Sequence, residues 1–177
     1  LFEQGIRQHH GRTIKEHLGA MGDLFARFAQ VAAENPLADR RAGFSAEQIA
    51  EVSDANPYIG FPYTKLMNSN AFIDQAAAVI LTSVANARKL GIPESKWVYL
   101  HGCADAYDHW YISDRLNYHS SPAMRIVGRE TCAMANATID DMDFFDLYSC
   151  FPSAVEIATR EMGINPDDPR GLTVTGG

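Results

Sequence analysis

Phe144-Phe145-Asp146-Leu147-Tyr148-Ser149-Cys150-Phe151-Pro152, running on to Met162-Gly163, is the stretch whose reading decides the fold. Phe144–Tyr148 is a short apolar and aromatic run that reads as a buried strand. Pro152 then opens a helix to Met162: proline suits a first helical turn, where the backbone N–H has no intrahelical partner, and Gly163 supplies the stop. The alternation continues on both sides. Ala76–Thr82 reads as a strand, and Ser83 caps a helix from Val84 to Leu90 that Gly91 and Pro93 end. Trp97–Gly102 reads as the next strand, 122–135 as a helix, and Leu172–Thr175 as the final strand. Buried strands alternating with helices imply an α/β fold with helices covering a mixed sheet.

Residues 1–65 have a different texture, helical and rich in loops. Thr13-x-x-Glu16 is a capping-box pattern opening a helix with Ile14, Leu18, Met21, Leu24, Phe25 and Phe28 on one face, ended by Asn35-Pro36. Ser45-x-x-Gln48 caps a shorter helix with Ile49 and Val52 inward. Asn56–Tyr63, punctuated by Pro57, Gly60 and Pro62, reads as loop or edge structure and as a domain seam, which divides the chain into 1–65 and 66–177. The chain opens on Leu1-Phe2-Glu3-Gln4, which reads as the interior of an ordered segment. It ends on a glycine pair, Gly176-Gly177, directly after a strand. The expectation is part of a larger protein.

The 177 residues are 46% apolar and 21% charged, which suits a globular domain. A net charge of −7 argues against broad nucleic-acid binding. No apolar run reaches membrane-span length, and no segment reads as a signal peptide. Three widely spaced cysteines, Cys103, Cys132 and Cys150, argue against a disulfide framework and fit a reducing cytoplasm.

Four constellations carry ligand or catalytic residue types. His101-x-Cys103-x-Asp105-x-x-Asp108-His109 has zinc-ligand chemistry, but its spacing fits a polar strand end with a buried cysteine better, and no metal is expected. Asp140, Asp141, Asp143 and Asp146 lack the spacing of a calcium loop and read as a solvated turn. His9, His10 and His17 lie among Arg7, Arg12 and Lys15; the stretch is a solvated helix face or a phosphate contact. Leu147–Ser153 is the sharpest, because a strand there hands over to a helix whose N-terminus favours negative charge. Cys150 at that corner is a candidate nucleophile without a sequence-adjacent base.

These residues resemble a known family. Asn68-Ser69-Asn70-Ala71-Phe72-Ile73-Asp74-Gln75-Ala76-Ala77-Ala78 resembles the thiolase segment N-A-S-G-x-N-D-G-A-A-A. Ile139–Phe151 resembles the I-D-D-I-D-L-x-E-x-N-E-A-F block, closer to the H-D-C-F version of sterol-carrier-type thiolases. Leu172–Gly177 resembles the V-N-x-x-G-G that precedes the family's G-H-P motif. The blocks keep the family's order over residues 68–177.

The resemblance implies a thiolase-like layered α/β fold, with 66–177 part of the C-terminal half and 1–65 a helical loop domain that contacts coenzyme A. It implies an acetyl-CoA acetyltransferase-like activity on acyl-CoA thioesters, condensation or thiolysis, with coenzyme A entering as substrate and no cofactor. The family's nucleophilic Cys, its G-H-P His and its second Cys have no counterpart in this sequence, so the chain alone is expected to be inactive. The implied partners are acyl-CoA and the remainder of the polypeptide, with a homo-oligomer allowed. Asn68, Ser69 and Asn70 would line the pantetheine channel, with Phe151 under the catalytic loop and Arg7, Arg12 and Lys15 toward the nucleotide phosphates. Asp74 would order its own loop by accepting backbone N–H groups. Tyr148 and Ser149 stand where the family has Asn or His and then Glu or Asp, the position that places a water at the thioester oxygen. That substitution supports an alternative, a thiolase-like protein that binds acyl-CoA or a protein partner without the chemistry.

Overall fold

Thr13 closes both halves of its capping box: its hydroxyl accepts from the Glu16 amide at 3.3 Å, and the Glu16 carboxylate accepts from the Thr13 amide at 2.7 Å. From there α2 runs Ile14–Glu34, after α1 (Phe2–His9), and ends at Asn35 ahead of Pro36. This is a computed structural model, and it describes residues 1–176; Gly177, half of the terminal glycine pair, lies outside them.

The inward face of α2 carries Met21, Leu24, Phe25 and Phe28, all buried, while Ile14 is exposed on the first turn. The short helix α3 (Ala46–Ala50) crosses α2 where Gly22 leaves room: a Cβ there would meet the Ala46 carbonyl oxygen at 2.6 Å. Ile49 enters the core from α3, whereas Val52, expected inward, lies beyond the helix end and is 46% exposed.

The punctuated stretch after α3 forms an antiparallel ribbon of β1 (Tyr58–Gly60) and β2 (Tyr63–Thr64), across a cis Phe61–Pro62 bond. Then come α4 (Val84–Lys89), α5 (Pro122–Ala135) and α6 (Pro152–Met162), with the Ser83 cap, Pro152 in the first turn of α6 and Gly163 at φ +71° as the sequence indicated. The central core joins Met21, Leu24, Phe25, Phe28, Ile49 and Met67 to Phe145, Val155, Ile164 and Leu172. It therefore crosses the expected seam at residue 65.

The four strands read from the sequence do not form a ladder. Among the described residues, β1 and β2 are the whole sheet. Ala76–Thr82 runs without turn or pairing, with Val79, Ile80 and Leu81 at 86%, 84% and 88% exposure. Phe144–Tyr148 and Leu172–Thr175 meet through one backbone bond, Leu147 N–H to Leu172 O at 2.9 Å. A strand exists only with a partner, and apolar pattern alone supplies none. The period of two persists all the same along 101–108. His101, Cys103, Asp105 and Tyr107 face outward, and Gly102, Ala104, Ala106 and Asp108 lean in, with the Gly102 Cα against the Thr131 backbone of α5.

Candidate functional site

Two loops singled out in the sequence meet in space. The first is set by Asn56, a buried amide whose Nδ2 donates to the carbonyls of Gln48, Ile49 and Glu51 and whose Oδ1 accepts from Leu66 N–H. That hub holds the 3₁₀ turn Lys65–Met67, and the fully buried Met67 anchors it. Residues 68–70 leave this anchor under local control. The Asn68 amide donates to Thr64 O at 2.6 Å, and the Asn70 amide donates to Asp39 Oδ2 and Phe72 O. Asn70 also accepts from Phe72 N–H, so it takes the loop-ordering role expected of Asp74, which accepts no hydrogen bond among the described residues.

The second loop is 148–151. Its seam with the first is the Ser69 N–H donating to the Cys150 carbonyl at 3.2 Å. Asp146 fixes the approach: its Oδ1 accepts from Thr173 Oγ1, Val174 N–H and Thr175 Oγ1, which folds the 173–176 loop beside it. Asp141 likewise caps its own turn through Thr138, so two members of the acidic run order backbone while the Asp140 and Asp143 side chains carry no such bond among the described residues. Arg170 donates to the Ile139 and Met142 carbonyls over the Phe145 ring, closing that turn from the other side. Tyr148 projects outward at 81% exposure and Ser149 is half-buried. Phe151, at the head of α6, stacks on Tyr63 with centroids 5.2 Å apart.

Beneath Phe151 lies a buried polar network that sequence reading missed. The Tyr63 hydroxyl donates to Glu3 Oε2 at 2.6 Å and lies 2.9 Å from Ser153 Oγ. His17 Nε2 is 2.7 Å from Glu3 Oε1, and both side chains are 2% exposed. Arg12 reaches His17 Nδ1 at 3.3 Å and Glu156 Oε1 at 3.2 Å. Burial and then the facing Glu3 carboxylate push the Tyr63 phenol upward, so it remains a donor. Burial, again with Glu3, raises the Glu156 carboxyl above its usual range. His17 is thus not part of a solvated face. The available signal was its helical register with Met21, Leu24 and Phe28, which puts it inward.

Glu3, His17 and Glu156 place ligand-type atoms within 4.8 Å of one another. The Arg12 guanidinium lies against two of them and repels a cation there. The zinc-like residues His101 and Cys103 are exposed and gather no such cluster among the described residues. Asp108 instead organises the start of α5, accepting from Ser121 Oγ, Ala123 N–H and Arg115.

The basic residues divide. Arg7 donates to Gln4 and to the Arg12 carbonyl, Arg12 turns into the network, and Lys15 is exposed on the first turn of α2. Among the described residues, none of the three is brought to the Ser69–Cys150 seam by a hydrogen bond. Cys150 is a free, half-buried thiol that belongs to no cluster of three ligand-type side chains among the described residues.

No family model matches the chain, and no curated protein matches it. Among solved structures it is similar to a monomeric SCP2-thiolase like protein type 1 from Mycobacterium smegmatis, at TM-score 0.88 and 37% identity. The match covers 100% of this chain and 38% of that one. No helix among the described residues is long and apolar enough to cross a membrane.

Proposed function

From the premise that this chain is thiolase-like, of the sterol-carrier type and with the α/β fold of that superfamily, we propose that it forms one wall of an acyl-CoA site in an acetyl-CoA acetyltransferase-like protein of lipid metabolism. The observation that carries the reading is the Ser69 N–H bond to Cys150 O. It brings the 68–70 segment, which by resemblance follows the pantetheine arm, against the 148–151 segment, which faces the thioester. Asn68 and Asn70 hold that loop, Ser69 joins it to the corner, Phe151 supplies an apolar floor, and Tyr148 and Ser149 present hydroxyls to the thioester oxygen. Residues 1–65 form the coenzyme A-contacting part, with Lys15 the basic residue free to approach a phosphate and Arg7 and Arg12 shaping the turn that presents it. The reacting thiols and base come from polypeptide other than residues 1–177, and the setting is cytoplasmic.

A specific observation favours a second reading, acyl-CoA or partner binding without chemistry. Tyr148 occupies the family's water-placing position, yet its ring stands 81% exposed. A phenol on a rigid ring cannot place a water as an Asn amide does.

Calorimetric titration with acetyl-CoA, followed by intact mass, tests the proposal. We expect binding without an acetyl adduct, and weaker binding by about tenfold or more (about 1.4 kcal/mol) in Ser69→Pro, which removes the seam's donor. Unchanged affinity in Ser69→Pro, or an adduct on Cys150, would overturn it. In a longer polypeptide that supplies the reacting thiols and base, CoA-dependent thiolysis separates the two readings: turnover supports the enzyme, and binding without turnover supports the second.

A further inference from the structure

Six side chains converge under Phe151: Glu3 of α1, Arg12 at the α1–α2 corner, His17 of α2, Tyr63 of β2, and Ser153 and Glu156 of α6. Their donors and acceptors determine where the protons lie. Arginine only donates, so His17 Nδ1 accepts from Arg12 and Nε2–H donates to Glu3 Oε1; His17 is the neutral tautomer. Tyr63 donates to Glu3 Oε2, which leaves Ser153 as the donor to Tyr63. Glu3 therefore holds two strong donors and is the ionised member. Among the described residues only Arg12 remains to balance a second carboxylate, and it reaches Glu156 through Oε1 alone. Glu156 Oε2 is buried with no hydrogen-bond partner among the described residues. An unpartnered buried carboxylate oxygen costs far more than an unpartnered neutral hydroxyl.

We propose that this cluster is a proton-binding site, in which Glu156 carries a proton on Oε2 and the neutral carboxyl lets α1, α2, β2 and α6 close around Tyr63. Loss of that proton sets two carboxylates against one guanidinium at the first turns of α6. The Tyr63–Phe151 stack rests on those turns, so the Ser69–Cys150 seam loosens with it. The device is a strut under the candidate site whose stiffness follows pH. The groups facing Glu156 are Glu3, Arg12, His17 and Tyr63, and the raised Glu156 carboxyl agrees with this arrangement.

The sign follows from the direction. A carboxyl raised above its ordinary 4.5 contributes stability that is complete below about pH 4.5 and disappears as pH rises through the folded value. Glu156→Gln keeps the shape and the neutral state at every pH. Its unfolding stability, minus that of the wild type, should therefore rise from pH 4 upward and then level off. Carboxylates outside the cluster titrate alike in both proteins and cancel. Exchange of the Ser69 amide, corrected for its intrinsic rate, should accelerate about tenfold across the same pH interval in wild type and stay flat in Glu156→Gln. A pH-independent difference, or Ser69 exchange equal in the two proteins, overturns the proposal. Should Glu156→Gln not fold, carboxyl ¹³C titration of wild type decides: an inflection for Glu156 above 4.5 supports the site, and one at or below 4.5 refutes it.

Discussion

Replacing Tyr63 by Phe removes one oxygen and leaves the ring on Phe151, which makes it the cleanest probe of what positions the candidate site. The hydroxyl makes two bonds, to Glu3 Oε2 at 2.6 Å and with Ser153 Oγ at 2.9 Å. The first is to an ionised, 2% exposed carboxylate, and a hydrogen bond to a charged group contributes about 1.5–3 kcal/mol. The second joins two neutral groups, at about 0.5–1.5 kcal/mol. Water cannot easily replace the lost donor, so the sum, about 2–4.5 kcal/mol, should appear nearly in full. For a chain of this size that corresponds to a fall in Tm of about 4–18 °C. Urea unfolding at pH 7 measures it, with Tyr63→Leu as a companion that loses the stack on Phe151 as well and should fall by about a further 0.5–1.5 kcal/mol. A cycle with Glu3→Gln should be non-additive, because both changes break the same bond. A Tyr63→Phe cost below about 0.5 kcal/mol, or strict additivity with Glu3→Gln, would refute the claim that this hydroxyl ties α1 to α6.

Other outcomes follow from the same structure. Asn56→Asp turns an amide donating to three carbonyls into an acceptor facing them, and should cost about 3 kcal/mol or more in urea unfolding; a loss under about 1 kcal/mol would sink the hub. Asp146→Ala removes the acceptor shared by Thr173, Val174 and Thr175, so amide exchange at Val174 and Gly176 should quicken about tenfold or more while the α6 core stays protected. Asp168 is held down to about 2 from 3.8, first by the Arg170 side chain and then by the Arg170 backbone N–H. Its contribution to stability is therefore present above about pH 3.8 and lost as pH falls toward 2, and Asp168→Asn should flatten that part of the acid unfolding curve relative to wild type. The exposed run Val79-Ile80-Leu81 should make the isolated chain associate with concentration and bind a hydrophobic dye; Ile80→Lys should reduce both, and a dye-silent monomer would count against it.

Helix ends were legible in the sequence because their causes are local. Thr13 with Glu16, Ser45 with Gln48, Ser83, Pro152 and Gly163 each act within one turn of their own position, and the structure places each of those caps and stops as read. The two site loops were legible as motifs, since 68–70 and 148–151 carry unusual residue types in a recognisable order. Strands were not. Ala76–Thr82 and Phe144–Tyr148 have the pattern of strands, but pairing belongs to two segments at once, and among the described residues those runs have no ladder partner.

Sequence by itself determined the helices, their caps and the likeness to a sterol-carrier-type thiolase, because propensity, capping and motif order are properties of neighbouring residues. Tertiary structure alone decided that Ser69 meets Cys150, and that Glu3, His17, Tyr63 and Glu156 share one buried space under Phe151. Those residues are separated by up to the better part of the chain, and a proton or a hydrogen bond responds to distance in space, not along the backbone.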